Sequence, residues 1–283
     1  MEKFKMVTYR REYGEGKSPV VEGAKKVLRY KEMVFLACIS FLLGRATILG
    51  GLAPFGVAFF SYFCLKDRKF FYLGLSTFLG MMTLPAKAGV WKYAIMLLLS
   101  VPVFSFVRKK IQQKPFYMAG ISSMMLFVSG MIFSFKTDFY LYDLFLLGFE
   151  SIVVFVFIYT LSYSVPVFIQ KNNRKTLSNE ELVCTAILAA VVVSGFSDMA
   201  LFGYSIKRIC GILLTVIFAY YGGTGIGTSI GLTIGLISSM SGLEMPIIVA
   251  GYGFSGLLAG VFRELGKLGS GIGMFLGFVI MNF

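Results

Sequence analysis

Eleven apolar runs, cut apart by short clusters of lysine and arginine, constrain this chain more than any other feature of its sequence. They lie at about residues 33–50, 53–65, 70–84, 89–107, 116–135, 141–168, 181–199, 206–221, 224–240, 246–262 and 269–283. A helix crosses a bilayer with about 20 apolar residues, and ~17 is near the lower limit. The chain is 57% hydrophobic and only 14% charged, with a mean hydropathy of +0.79. Soluble domains carry roughly 45–50% apolar and 25% charged residues, so no soluble core absorbs this excess. The runs are continuous and do not alternate, which argues against a transmembrane barrel. The expected fold is all-α, a polytopic transmembrane helical bundle of about 10–11 apolar segments.

The basic residues set an expected orientation. Assigning alternate loops to opposite sides places 21 of the 27 Lys and Arg on the side of the amino terminus. The other side holds Arg45, Lys87, Lys92, Lys136, Lys207 and Arg208. Cytoplasmic loops carry the basic excess, so the amino terminus is expected in the cytoplasm. The run 53–65 is too short to span comfortably and reads as a tilted, broken or re-entrant piece after Pro54. Counting it as a crossing nevertheless keeps every later loop on its basic or neutral side. Residues 1–32, with nine Lys or Arg against five Glu, are too polar for a secretory signal. Ser18-Pro19 reads as a helix start, with Val20, Val21, Ala24, Val27 and Leu28 on one side and Lys25, Lys26, Arg29 and Lys31 left polar. The division expected is a basic cytoplasmic arm over 1–32, carrying an interfacial amphipathic helix, and a membrane domain over 33–283.

Composition also removes functions. There is no histidine, the commonest general base and metal ligand. Cys38, Cys64, Cys184 and Cys210 stand singly in apolar runs and read as buried hydrophobes. Asp67, Asp138, Asp143, Asp198 and the glutamates form no acid/base couple and no metal cluster. The net charge of +13 is scattered between spans, which fits anionic lipid head groups as partners and not nucleic acid.

Three features remain as candidates. Glycines recur at four-residue spacing as Gly223, Gly227, Gly231 and Gly235, as Gly256 and Gly260, and as Gly269, Gly273 and Gly277. Such spacing lines one helix face and permits close packing within the chain, self-association or a partner helix. Charges inside membranes are costly, which singles out Arg45 and Glu150. Either both sit solvated near the outer interface, or they form a buried pair joining the first and sixth spans. Finally, the break around Gly50-Gly51-Leu52-Ala53-Pro54 resembles the discontinuous helices of transporters, which keeps a small-solute transporter or channel as the alternative. Phe157, within the run 141–168, reads as lipid-facing.

One longer pattern goes further. Phe41-Leu42-Leu43-Gly44-Arg45-Ala46-Thr47-Ile48-Leu49, followed by Leu52-Ala53-Pro54-Phe55, resembles the first membrane hairpin of the stage II sporulation protein E family. Gly222-Gly223-Thr224-Gly225-Ile226-Gly227 with Gly231 and Gly235, then Phe254 to Gly260 and Glu264 to Gly273, is similar to that family's late spans. Glu150 falls where the family also has an acid, and Leu177 to Cys184 resembles the start of its seventh segment. The resemblance implies a sporulation protein with a multi-span membrane domain, then a central cytoplasmic region that oligomerises and meets the tubulin-like division protein. A PP2C-type serine/threonine phosphatase would follow, using manganese or magnesium on an anti-anti-sigma factor to release the first forespore-specific sigma factor at the asymmetric septum. For this chain it implies anchoring, localisation and clustering, with no catalytic, cofactor-binding or metal residue of its own. The run 269–283 ends at Asn282-Phe283 without a polar flank, so the chain reads as a fragment or split gene, truncated before the family's last span, central region and phosphatase.

Overall fold

The computed structural model describes residues 19–49, 51–84, 89–111, 114–135, 141–169, 178–196, 200–201, 204–239 and 245–282. Ser18, Gly50, Lys87, Lys136, Asp138 and Asp198 lie outside them. By its contacts the chain forms two units, residues 1–36 and 37–283. Ten helices carry the described chain: α1 (Pro19–Arg45), α2 (Pro54–Lys66), α3 (Tyr72–Met82), α4 (Val90–Ile111), α5 (Pro115–Ser134), α6 (Leu141–Ile169), α7 (Asn179–Ser194), α8 (Ile206–Ser239), α9 (Met245–Val261) and α10 (Gly266–Asn282). The exception to helix is a minimal antiparallel ladder pairing Ala200 with Ser205 and Leu201 with Tyr204. α1, α2 and α5 each begin at a proline, whose fixed φ suits a first helical turn and which has no N–H to leave unsatisfied.

Within residues 37–283, α2 is the centre of the first half of the bundle. Every side chain from Pro54 to Leu65 is buried. At 1.5 Å per residue it is only about 20 Å long, short of a ~30 Å hydrocarbon layer, and it is sheathed in protein instead. Its aromatic rings provide the contacts: Phe60 lies 6.4 Å from Phe104 of α4, and Phe55 lies 5.0 Å edge-on to Phe157 of α6. That contact corrects the reading of Phe157 as lipid-facing. Phe157 is 3% exposed, because α6 turns this position toward the short buried helix. Of the cysteines, Cys64 on α2 is buried, whereas Cys38 on α1 is exposed and Cys184 and Cys210 are half-buried. The reading of all four as buried hydrophobes therefore holds fully for Cys64 alone.

Five stretches are long and apolar enough to cross a membrane: Val90–Val107, Pro115–Ser134, Leu141–Val167, Ile206–Leu236 and Pro246–Met281. The last two are hairpins. Inside α8, Gly223 takes φ 78° and ψ −166°, and the chain reverses. A Cβ added to Gly227 would fall 2.7 Å from that of Ala219, and one on Gly211 would touch Ile234, so the parts 206–222 and 224–239 run antiparallel. The second reversal follows the tight turn Phe262–Leu265, where Gly266 takes φ 81° and ψ −164°. Left-handed backbone of this kind is open to glycine and strained for other residues. Both reversals thus depend on a glycine at the positive-φ position.

α7 begins with a reciprocal cap. Ser178 Oγ accepts from the Glu181 amide at 3.1 Å, while Glu181 Oε2 accepts from the Ser178 amide at 3.1 Å. Each satisfies a donor that a helix start leaves free. Ser178→Ala should cost about 1 kcal/mol and fray the first turn. Hydrogen exchange at Glu180 to Leu182 should quicken while that of α6 is unchanged; equal protection in both proteins would count against the cap.

Candidate functional site

The starts of α2 and α4 meet the interior of α6 around Glu150. The residue is fully buried, the tenth of α6 and about 13 Å along it, deep enough to lie within hydrocarbon in a spanning helix. A carboxylate there is tolerable only if its lone pairs are taken. Lys92 Nζ donates to Glu150 Oε2 at 2.6 Å, and the Tyr93 hydroxyl donates to Oε1. The Tyr93 hydroxyl in turn accepts from the Ala53 amide at 2.7 Å. Ala53 is the N-cap of α2 and has no side chain to cap it, and Pro54 has no amide, so Tyr93 of α4 supplies the acceptor that α2 lacks. The positive end of the α2 dipole also points toward the negative cluster.

The break before α2 satisfies itself as well. Ile48 donates to the Leu52 carbonyl at 2.8 Å, and the Leu52 amide returns to the Ile48 carbonyl at 3.0 Å. Leu49 takes φ 47° and Gly51 φ 147° to make this narrow turn. Irregular backbone at membrane depth survives when protein buries it, and here Ala46, Ile48, Leu52 and Ala53 are all buried.

Arg45 and Glu150 do not pair. Arg45 Nε donates to the Gly195 carbonyl at 3.2 Å instead. Arg45 closes the last turn of α1 and Gly195 is the C-cap of α7, so one guanidinium serves two negative helix ends. The missing side chain of Gly195 makes this approach possible, since a Cβ there would run into the Leu42 carbonyl oxygen. Glu150 takes Lys92, one turn into α4, a residue the loop count had assigned to the outer rim. Reading by spacing missed Lys92, Tyr93 and Gly195. The available signal was a lysine and a tyrosine opening an apolar run, where a cation has no water to meet.

The glycines divide by role. Gly227, Gly231 and Gly235 face α9: an added Cβ at Gly227 would sit 2.5 Å from the Gly256 carbonyl oxygen, and one at Gly235 would sit 2.8 Å from Val249 Cα. Gly231 abuts the Tyr252 carbonyl, and Gly260 faces Thr224 Cα at 2.5 Å on the same measure. Gly273 and Gly277 meet Leu258 and Ser255 in the α9–α10 hairpin. Gly223 is not on the packing ridge but is the reversal itself, and Gly269 packs within its own turn against Phe262 and Leu265. Gly266, absent from the four-residue pattern, makes the second reversal.

The donor set does not fit a metal ion: among the described residues no three Cys, Asp or Glu gather.

The family described as "SpoIIE, N-terminal domain" matches residues 1–283. Stage II sporulation protein E of Bacillus subtilis (strain 168) is 29% identical over 274 residues, which cover 95% of this chain and 33% of that protein. The chain thus spans about a third of the length of this curated relative. No solved structure matches it. With helices long and apolar enough to cross a membrane and a family match along its whole length, the chain belongs to the SpoIIE N-terminal domain family, as a membrane module of sporulation protein E.

Proposed function

We propose that this chain anchors, localises and helps to cluster a sporulation phosphatase at the asymmetric division septum, its amino terminus in the cytoplasm. In this reading the chain catalyses nothing. A metal-dependent PP2C-type serine/threonine phosphatase and a central region lie in sequence outside this chain, and they meet the anti-anti-sigma factor and the tubulin-like division protein. Its own partners are membrane lipids and further copies of itself.

The observation that carries this reading is that the charged groups Arg45, Lys92 and Glu150, and the polar groups beside them, are spent on protein partners. Both Glu150 oxygens, the Tyr93 hydroxyl and the Ala53 amide are engaged inside the protein, and Arg45 caps α7. A transport site needs such groups exchangeable with a solute. A bundle with these charges locked and its late helices packed through glycine suits a rigid scaffold.

The test is a fluorescent fusion of residues 1–283 in sporulating cells that lack the native protein. The fusion should concentrate at the asymmetric septum well above its level in the lateral membrane. An even distribution, or solute uptake that depends on Glu150, would replace the anchoring reading with another.

A further inference from the structure

The first glycine reversal lies against the end of α9 and the turn that follows it, and between them is a cavity of about 330 Å³ lined by Gly222, Gly223, Thr224, Gly225, Arg263 and Glu264 among others. The Arg263 side chain lies across the first turn, where a Cβ on Gly223 would come within 2.6 Å of Nη1. Glycine therefore keeps this floor open. Arg263 and its neighbour Glu264 are both exposed, and among the described residues neither side chain hydrogen-bonds or pairs with the other or with anything else. Around these charges stand the exposed apolar side chains of Tyr221, Val261, Leu265 and Leu268.

This combination has a chemical meaning. A cation and an anion side by side at the mouth of one cavity match a ligand that itself carries both charges, and a guanidinium is the side chain best suited to phosphate. An apolar rim beside a polar pocket at helix ends is where acyl chains leave a head group at the membrane interface. The volume falls in the range of small-ligand sites, about 300–1,000 Å³.

We propose that this cavity binds a phosphate bearing a primary amine, the head group of phosphatidylethanolamine. Arg263 takes the phosphate, Glu264 takes the ammonium, and the acyl chains run over Leu265 and Leu268. The site goes beyond the anchoring role and is tested without reference to septal localisation.

The full chain is purified in neutral detergent and its thermal midpoint followed during four titrations. These use short-chain phosphatidylethanolamine, short-chain phosphatidylglycerol, soluble phosphoethanolamine and inorganic phosphate. The ethanolamine lipid should raise the midpoint saturably, at a concentration at least tenfold below that of the glycerol lipid, while the two soluble compounds leave it unchanged. Glu264→Gln should abolish the preference between the lipids, and Arg263→Met should weaken both at least tenfold. Equal response to the two lipids overturns the proposal, as does a preference that survives Glu264→Gln. An equal response to soluble phosphoethanolamine overturns the lipid as source. Should Arg263→Met fail to fold, Glu264→Gln, an exposed side chain without a partner to lose, decides alone.

Discussion

Replacing Glu150 by alanine is expected to remove about 3–5 kcal/mol of stability, because it leaves the Lys92 ammonium facing a buried site with no counter-charge. Lys92→Met should cost a similar amount, since the carboxylate then keeps only the Tyr93 hydroxyl. The pair itself is a different matter. Bringing two charges out of water consumes most of their attraction, so replacing both by apolar groups of similar size is often neutral. The double variant Lys92→Met with Glu150→Met should therefore recover most of what either single change loses, a coupling well above the ~0.5 kcal/mol scatter of independent sites. Tyr93→Phe should cost about 1–3 kcal/mol, as it strips the acceptor from the Ala53 amide while leaving the ion pair intact. Unfolding midpoints in detergent, read together with protease half-lives, give the order. A double variant as weak as the worse single would show that the cluster holds the break before α2 through its charge.

Much of this architecture was legible because lipid simplifies the problem. A membrane leaves few ways to satisfy a backbone, so long apolar runs identify helices directly, and the two segments read at 206–221 and 224–240 are the two arms of the α8 hairpin. What the runs do not encode is depth and facing. Phe157 looks like any lipid-facing aromatic because both lipid and protein interiors are apolar, and only the buried α2 beside it decides. Charge pairing is hidden for a related reason. Arg45 and Glu150 were both visible as costly charges, yet the choice of partner depends on which helix ends converge. Arg45 lies 150 positions from Gly195 in sequence, and Glu150 lies 58 positions from Lys92. Spacing also conflates two uses of glycine. A period of four includes Gly223, which serves φ, with Gly227 and Gly231, which serve packing, and it omits Gly44, Gly80 and Gly195, where single close approaches need no period.

The sharpest contrast available in this chain is one substitution made twice on one helix. Gly225 and Gly231 both lie in the second part of α8, fewer than two turns apart. A Cβ at Gly225 meets nothing within 4 Å, whereas one at Gly231 runs into the Tyr252 carbonyl and comes within 3.2 Å of Gly253 Cα. The obstacles at Gly231 are backbone atoms of α9, which cannot swing aside as a long side chain would. Gly231→Ala must therefore push the α8 and α9 axes apart, and the loss spreads along Gly227, Gly235 and Gly256, whose contacts depend on the same separation. In lipid this packing is the main attraction between helices, with no hydrophobic effect to compensate. Overpacking a tight contact costs roughly 1–3 kcal/mol, and leucine at the same position should exceed that and prevent assembly. Gly225→Ala should instead gain up to about 1 kcal/mol from helix propensity alone. Thermal midpoints of the two alanine variants should thus move in opposite directions from the parent, with Gly227→Ala following Gly231→Ala. A common shift for Gly225 and Gly231 would mean that the α8–α9 seam is looser than its backbone approach indicates.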